Sequence, residues 1–206
     1  MTHLVFICGH AGTGKTTLAK RLIGPLMKRT DAAFCLLDKD TLYGPISTAA
    51  IGALTGDPHD RDSPLYLQHL RDPEYRGLID TARDNLELGI GVIAIGPLSR
   101  EVRDGQLFDR AWLGVADDVE IHVVWVSTTE DVARERIVAR GNPADAYKLA
   151  HWDDYRQRRF VPDADHCDGL LMFDNTAPTA ADHDALLAQI AGVRPRTVTM
   201  LPPMPV

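Results

Sequence analysis

Cysteine is scarce in this chain. Cys8, Cys35 and Cys167 are three residues among 206, odd in number and far apart. That excludes a disulfide framework, and the apolar surroundings of Cys8 and Cys35 read as small buried thiols. Positive charge is also short: 22 Lys and Arg stand against 29 Asp and Glu, a formal net charge of −7. An acidic chain is a poor general partner for a phosphate backbone, so no nucleic-acid partner is expected, although a local basic cleft is compatible with the total. No apolar run approaches the length of a membrane helix, and the first residues show neither a basic leader nor a small-residue cleavage site. The expectation is a cytoplasmic protein with no membrane partner. The eight histidines show no metal-ligand spacing: His166 and Cys167 are adjacent, and His10 needs no role of its own. Oligomeric state is not legible.

What is present is an ordinary globular mixture, 45% hydrophobic and 25% charged, enough for one compact domain over residues 1–193. Residues 194–206, RPRTVTMLPPMPV, are proline-rich and read as an extended tail. Short apolar runs at 4–8, 32–37, 91–95, 120–126 and 170–173 read as buried strands. Helical periodicity marks 15–22, limited or bent by Gly24 and Pro25, and also 73–88, 129–139 and 180–190. Ser127, Thr128 and Thr129 each offer a cap for the third of these. Residues 41–54 have helical composition interrupted by Gly44, Pro45 and Gly52. Strands that are apolar throughout and alternate with helices predict an α/β fold: a five-stranded parallel sheet covered by helices on both faces.

The first strand runs into Gly9-His10-Ala11-Gly12-Thr13-Gly14-Lys15-Thr16, which fits G-x-x-x-x-G-K-[ST] at every required position. Glycines let successive backbone N–H groups turn inward as an anion nest, and the following helix adds its N-terminal partial charge. Lys15 would reach the β- and γ-phosphates and the Thr16 hydroxyl would bind Mg²⁺. Gly9, Gly12, Thr13, Gly14, Lys15, Thr16 and Thr17 are thus the expected ATP-binding residues of a P-loop NTPase fold. No D-x-x-G switch or N-K-x-D guanine reader occurs. The strands at 91–95 and 120–126 end in Gly96-Pro97 and Ser127 rather than in a Walker B acid. Small P-loop kinases remain.

Asp38 and Asp40 lie at the end of the second strand, at the crevice where parallel sheets bind ligands. One would hold Mg²⁺ or its water and the other would orient and deprotonate an acceptor hydroxyl. A helix cap at Asp40 and a turn at Asp38 is the alternative.

The P-loop, the Asp-x-Asp and an arginine-bearing segment near 134–148 together resemble the shikimate kinase, gluconate kinase, chloramphenicol phosphotransferase and zeta-toxin-like group. The resemblance runs over about residues 4–190. It implies Asp40 as substrate-facing base and Asp38, with Thr16, nearer the metal; the reverse order is open. It implies a lid at about 140–160, with Arg136 and Arg140 gathering charge over the phosphates; a charged helix surface with a Glu130–Arg134 pair is the alternative. Substrate residues are implied after the third strand, at Arg100 and less directly Arg103, against a Ser99-capped helix with solvated arginines. Pro178 falls in the loop implied to pack near the adenine. Residues 55–76 read either as a substrate flap carrying Arg61 and Tyr66 or as a surface loop packed by Leu65, Tyr66 and Leu70. The expected activity is transfer of the ATP γ-phosphate to a hydroxyl of a small molecule, an antibiotic or other natural product first. A zeta-toxin-like sugar-nucleotide kinase and a non-catalytic ATP-binding regulator are the alternatives.

Overall fold

A computed structural model describes residues 2–61, 64–157, 159–162 and 169–192. The expected tail and the His166–Cys167 pair lie outside these residues. Five parallel strands form one sheet in the order β2-β3-β1-β4-β5, with β1 (Thr2–Cys8), β2 (Phe34–Asp38), β3 (Gly91–Ile95), β4 (Val119–Ser127) and β5 (Leu170–Asp174). The central β1 pairs on both sides, Phe6 lying between Ala94 of β3 and Val123 of β4. Connecting helices are α1 (Lys15–Thr30), α2 (Lys39–Thr55), α3 (Pro64–His69), α4 (Arg71–Glu87), α5 (Ser99–Arg103), α6 (Arg110–Leu113), α7 (Glu130–Arg140), α8 (Ala146–Ala150), α9 (Trp152–Gln157) and α10 (Ala180–Ile190).

The two-residue pleat sorts the apolar strands into two core layers. Leu4, Phe6 and Cys8 join Val92, Ala94, Val123 and Trp125 against Leu78, Ile79 and Ala82 of α4. Val5 and Ile7 join Ile93, Ile95, Val124 and Val126 against Leu18 and Leu22 of α1 and Leu186 and Ile190 of α10. Cys8 is wholly buried, and burial pushes its thiol far above the ordinary value; Cys35 is only half-buried. Among the described residues, no helix is long and apolar enough to cross a membrane.

Several local expectations are corrected. Helix α1 does not stop near Gly24-Pro25 but continues to Thr30, because both residues lie on its exposed side, where water can satisfy the carbonyl that proline leaves unbonded. Helix α2 likewise runs unbroken through Gly44, Pro45 and Gly52 and ends at Gly56 in the left-handed conformation. Ser99 does not cap α5; the preceding Leu98 takes that place with φ +48° and no side-chain bond. At α7 no Thr129 side chain caps the helix; its N–H donates instead to Thr176 Oγ1 at 3.1 Å.

Strands β1 and β4 bring together a buried His3 and a half-buried His122. His3 Nδ1 and His122 Nε2 are 3.4 Å apart, and burial lowers both pKa values, that of His122 to about 4. The unfolded chain therefore takes up protons first as pH falls below the ordinary value of 6.5, so stability is lost between about pH 6.5 and pH 4. A loss on the order of 3 kcal/mol is expected from His122 alone. Urea midpoints at pH 7 and pH 4.5 test this, with the pH dependence shallower in His122→Asn; equal slopes in both proteins would overturn it.

Candidate active site

Strand β1 delivers the chain into the Gly9–Thr16 turn, and α1 begins at Lys15. Three glycines hold conformations closed to side chains: Gly9 at φ +136°, Gly12 at φ +80° and Gly14 at φ +85°. A Cβ at Gly9 would strike the Val126 carbonyl, at Gly12 the Ala133 carbonyl, and at Gly14 the Asn175 amide. The loop is therefore wedged between β4, α7 and the β5–α10 turn. Gly12→Ala should disturb it by about 1–3 kcal/mol, read as a fall in both melting temperature and nucleotide affinity.

The loop is also ordered from within. The Thr13 hydroxyl donates to the His10 carbonyl at 3.0 Å, and Lys15 Nζ donates to the same oxygen at 2.8 Å. A carbonyl is a weak partner for a half-buried ammonium. Burial lowers the Lys15 pKa to about 8 despite the pull of Asp40.

Strand β2 ends on Asp38, whose Oδ2 accepts from the Thr16 hydroxyl at 2.9 Å. Its Oδ1 accepts from the Asp40 N–H at 3.0 Å and caps α2. The cap expected of Asp40 thus belongs to Asp38. Asp40 is left with its carboxylate 80% exposed in the cleft, 2.9 Å from Lys39 Nζ. Desolvation within the cleft pushes the Asp40 pKa up, but Lys39, with Lys15 and Arg61, holds it below the usual carboxylate value. A glycine cradle that side chains would fill, beside paired hard oxygens at Thr16 and Asp38, fits a polyphosphate with its Mg²⁺. Among the described residues, no set of three His, Cys, Asp or Glu forms a separate metal centre.

Gly12, Gly14, Lys15, Thr16, Asp38, Lys39 and Asp40 line one cleft of about 1080 Å³, which also takes in Thr17, Arg61, Tyr66, Arg136, Arg140 and Pro178, while Gly9 and the buried Thr13 shape the loop from behind it. Arg136 donates from Nη2 to the carbonyls of Asn175 and Thr176 at 2.9 and 3.4 Å, and Asn175 Nδ2 donates to the Thr13 carbonyl at 2.7 Å. Arg136 Nη1 is buried without a partner. Arg140 makes a two-pronged pair with the buried Asp145, at 2.6 and 2.8 Å, and Lys148 stands 3.5 Å from the same carboxylate. The Glu130–Arg134 pair of the alternative reading is not formed. Glu130 accepts from Trp152 Nε1 at 2.9 Å, while Arg134 lies over the Trp152 ring at 5.7 Å.

Arg61 and Tyr66 reach the cleft wall but turn their polar ends onto buried Glu74, at 3.0 and 2.9 Å. Arg100 departs furthest from expectation. It is not among the cleft-lining residues and pairs with Asp72 at 3.1 Å. Arg71 lines the cleft instead, and Arg103 lies over the Phe160 ring at 4.5 Å.

Sequence reasoning missed Lys39, Arg71, Glu74, Asp145 and the docking of Tyr155 and Phe160 on the loop. In that docking the Ala11 N–H donates to Tyr155 Oη at 3.0 Å, and His10 Nε2 lies 2.9 Å from the Phe160 carbonyl oxygen and 3.0 Å from its nitrogen, donating to the one or accepting from the other according to its tautomer. Burial between Trp125 and Phe160 lowers the His10 pKa to about 4. No local pattern announces partners this distant in sequence.

Solved structures share this architecture. Kti12 of Chaetomium thermophilum, in complex with ADP-AlF3, is 19% identical with a TM-score of 0.65, covering 91% of this chain and 96% of that one. A sugar kinase from Janibacter sp. HTCC2649 is 18% identical with a TM-score of 0.55, covering 92% and 94%. A gluconokinase from Sinorhizobium meliloti 1021 is 18% identical with a TM-score of 0.53, covering 93% and 92%. At these identities the likeness is one of fold. No curated protein matches the sequence. The AAA domain family AAA_33, however, matches residues 4–162, from the first strand past the Arg140–Asp145 pair, and the chain belongs to that family.

Proposed function

We propose that the protein is a phosphotransferase that moves the γ-phosphate of ATP to a hydroxyl of a small molecule. The observation that carries this reading is the Thr16–Asp38 contact at 2.9 Å beside the cradle, with the Asp40 carboxylate open in the same cleft. The Gly9–Thr17 backbone and Lys15 bind the phosphates. Arg136 and Pro178, which line the same cleft, would lie beside the adenine. Thr16 and Asp38 would hold Mg²⁺, which supplies neutralisation of the phosphate charge. Asp40 orients the acceptor hydroxyl and takes its proton as the oxygen bonds to the γ-phosphorus. The bond from that phosphorus to the β,γ-bridging oxygen breaks, its electron pair leaving with ADP. Arg140, released from or carried with Asp145, gathers charge on the transferring group. The kinase names of two structural relatives support the acceptor class in general.

The test is ADP release with Mg·ATP against hydroxylated antibiotics, sugars, sugar acids, nucleosides and sugar nucleotides, with mass spectrometry of the products. One acceptor gaining a phosphate supports the reading. Tight nucleotide binding with no phosphate adduct anywhere would move the weight to a non-catalytic ATP-binding role.

A further inference from the structure

The two halves of the cleft treat positive charge differently. On the nucleotide side Lys15 has only a carbonyl as its nearest partner, Arg136 Nη1 has none, and Arg140 and Lys148 share the one carboxylate of Asp145. On the acceptor side, among the described residues, each lysine or arginine of the walls built by α2, residues 57–61 and α4 meets a carboxylate of the protein. Lys39, 4% exposed, donates to Glu74 Oε2 at 2.7 Å and pairs with Asp40 at 2.9 Å. Arg61 gives Nη1 to Glu74 Oε1 at 3.0 Å and Nη2 to the Gly44 carbonyl and Thr48 hydroxyl at 3.0 and 3.1 Å. Arg71 lies 4.2 Å over the Tyr75 ring and makes a two-pronged pair with buried Glu101 at 2.9 and 3.0 Å. At the rim Asp72 takes both Arg71 and Arg100, at 2.9 and 3.1 Å.

Lys39, Arg61, Arg71 and Arg100 are thus balanced by Asp40, Glu74, Glu101 and Asp72. An anionic acceptor entering here would lose its hydration and find no uncompensated cation to replace it. It would also meet the Asp40 carboxylate. An uncharged molecule with several hydroxyls has only to exchange water for hydrogen bonds, with groups such as Thr48, His59 and Asp40 on the wall.

We infer that the acceptor is an uncharged polyhydroxylated small molecule, and that Glu74 and Glu101 set this preference by neutralising Arg61 and Arg71. The inference rests on the phosphotransferase reading and narrows it. Neutralised arginines still serve a neutral ligand, because an ion-paired guanidinium lying on a tyrosine ring is a rigid wall rather than a charge awaiting a partner.

The test compares acceptors in matched pairs of one skeleton, neutral against acidic: glucose and gluconate, glycerol and glycerate, uridine and uridine monophosphate. Phosphate transfer from Mg·ATP is read as kcat/KM and product mass, with ATP affinity measured separately. Neutral members should accept phosphate at least tenfold more efficiently than their acidic partners. Glu101→Gln leaves Arg71 without its buried counter-charge and should narrow that gap about tenfold by improving the acids. Glu74→Gln does the same through Arg61 and serves if Glu101→Gln fails to fold. The inference is overturned if the acids are the better acceptors, if neither variant moves the ratio, or if ATP binds and no neutral member is phosphorylated. Failure to bind ATP at all removes the phosphotransferase reading itself, and this inference with it.

Discussion

Lys15→Ala will weaken nucleotide binding by a factor on the order of 10²–10³ and abolish turnover, the usual scale for removing one partner of a desolvated charge pair. The expectation follows from where the ammonium sits. In the free protein it is half-buried behind the loop and bonded to a single carbonyl, and burial has already brought its pKa down to about 8. A polyphosphate supplies the negative charge it lacks, so binding favours the protonated form. Below pH 8 the lysine is charged before nucleotide arrives and affinity is flat with pH. Above pH 8 the protein must take up a proton to bind, and affinity falls by up to tenfold per unit. Calorimetry at pH 8.5 in two buffers of different ionisation enthalpy reads that proton directly. Lys15→Arg, charged throughout, should lose this pH dependence. Unchanged affinity in Lys15→Ala would end the P-loop assignment.

Asp40→Asn should separate chemistry from binding. The amide keeps the shape of the carboxylate but cannot accept the acceptor's proton, so transfer should fall by about 10²–10⁴, the range of general-base contributions. ATP affinity should change by no more than a few-fold, because Asp38, not Asp40, meets the Thr16 hydroxyl. The same substitution at Asp38 should do the opposite at first order: the asparagine oxygen still caps α2, but an NH₂ replaces the carboxylate oxygen that meets the Thr16 hydroxyl, so nucleotide affinity falls with little change in melting temperature. A transfer loss below tenfold in Asp40→Asn would show that another group takes the proton. Single-turnover measurements with a good acceptor make the distinction clean, since they exclude product release.

Those two assignments came from the most legible part of the sequence. Strand β1, the glycine loop and the start of α1 are written locally: five residues of apolar strand, a motif of fixed spacing, then a helical stripe of Leu18 and Leu22. Asp38 and Asp40 were legible for the same reason, being the first polar residues at the end of a buried strand. What was hidden depends on pairs far apart in the chain. Glu74 gathers Lys39, Ser47, Arg61 and Tyr66 from α2, the loop before α3, and α3 itself, and no periodicity relates those positions. The exchange of Arg100 for Arg71 has the same origin. Arg100 stands after the third strand, where a substrate residue is implied, but Asp72 holds it away, and nothing in the sequence around Arg71 marks that residue as facing the cleft. Pro25 and Pro45 misled in the other direction. Helix-breaking propensity is real, yet on a solvated helix face it is outvoted by the packing of Leu22, Leu26 and Ile51 on the other side.

The central position of β1 has a consequence for the chain as it is made. The cradle's own residues are complete by Thr17, but β1 bonds only to β3 and β4, and those strands are residues 91–95 and 119–127. A nascent chain emerging from the ribosome therefore carries the whole phosphate-binding motif long before it carries the walls that shape it. Until Val126 and Ala133 are in place, nothing presses the glycines into their conformations. Nucleotide should thus be unable to assist the early stages of folding and should act only on the nearly finished domain, as a late ligand that locks an assembled sheet.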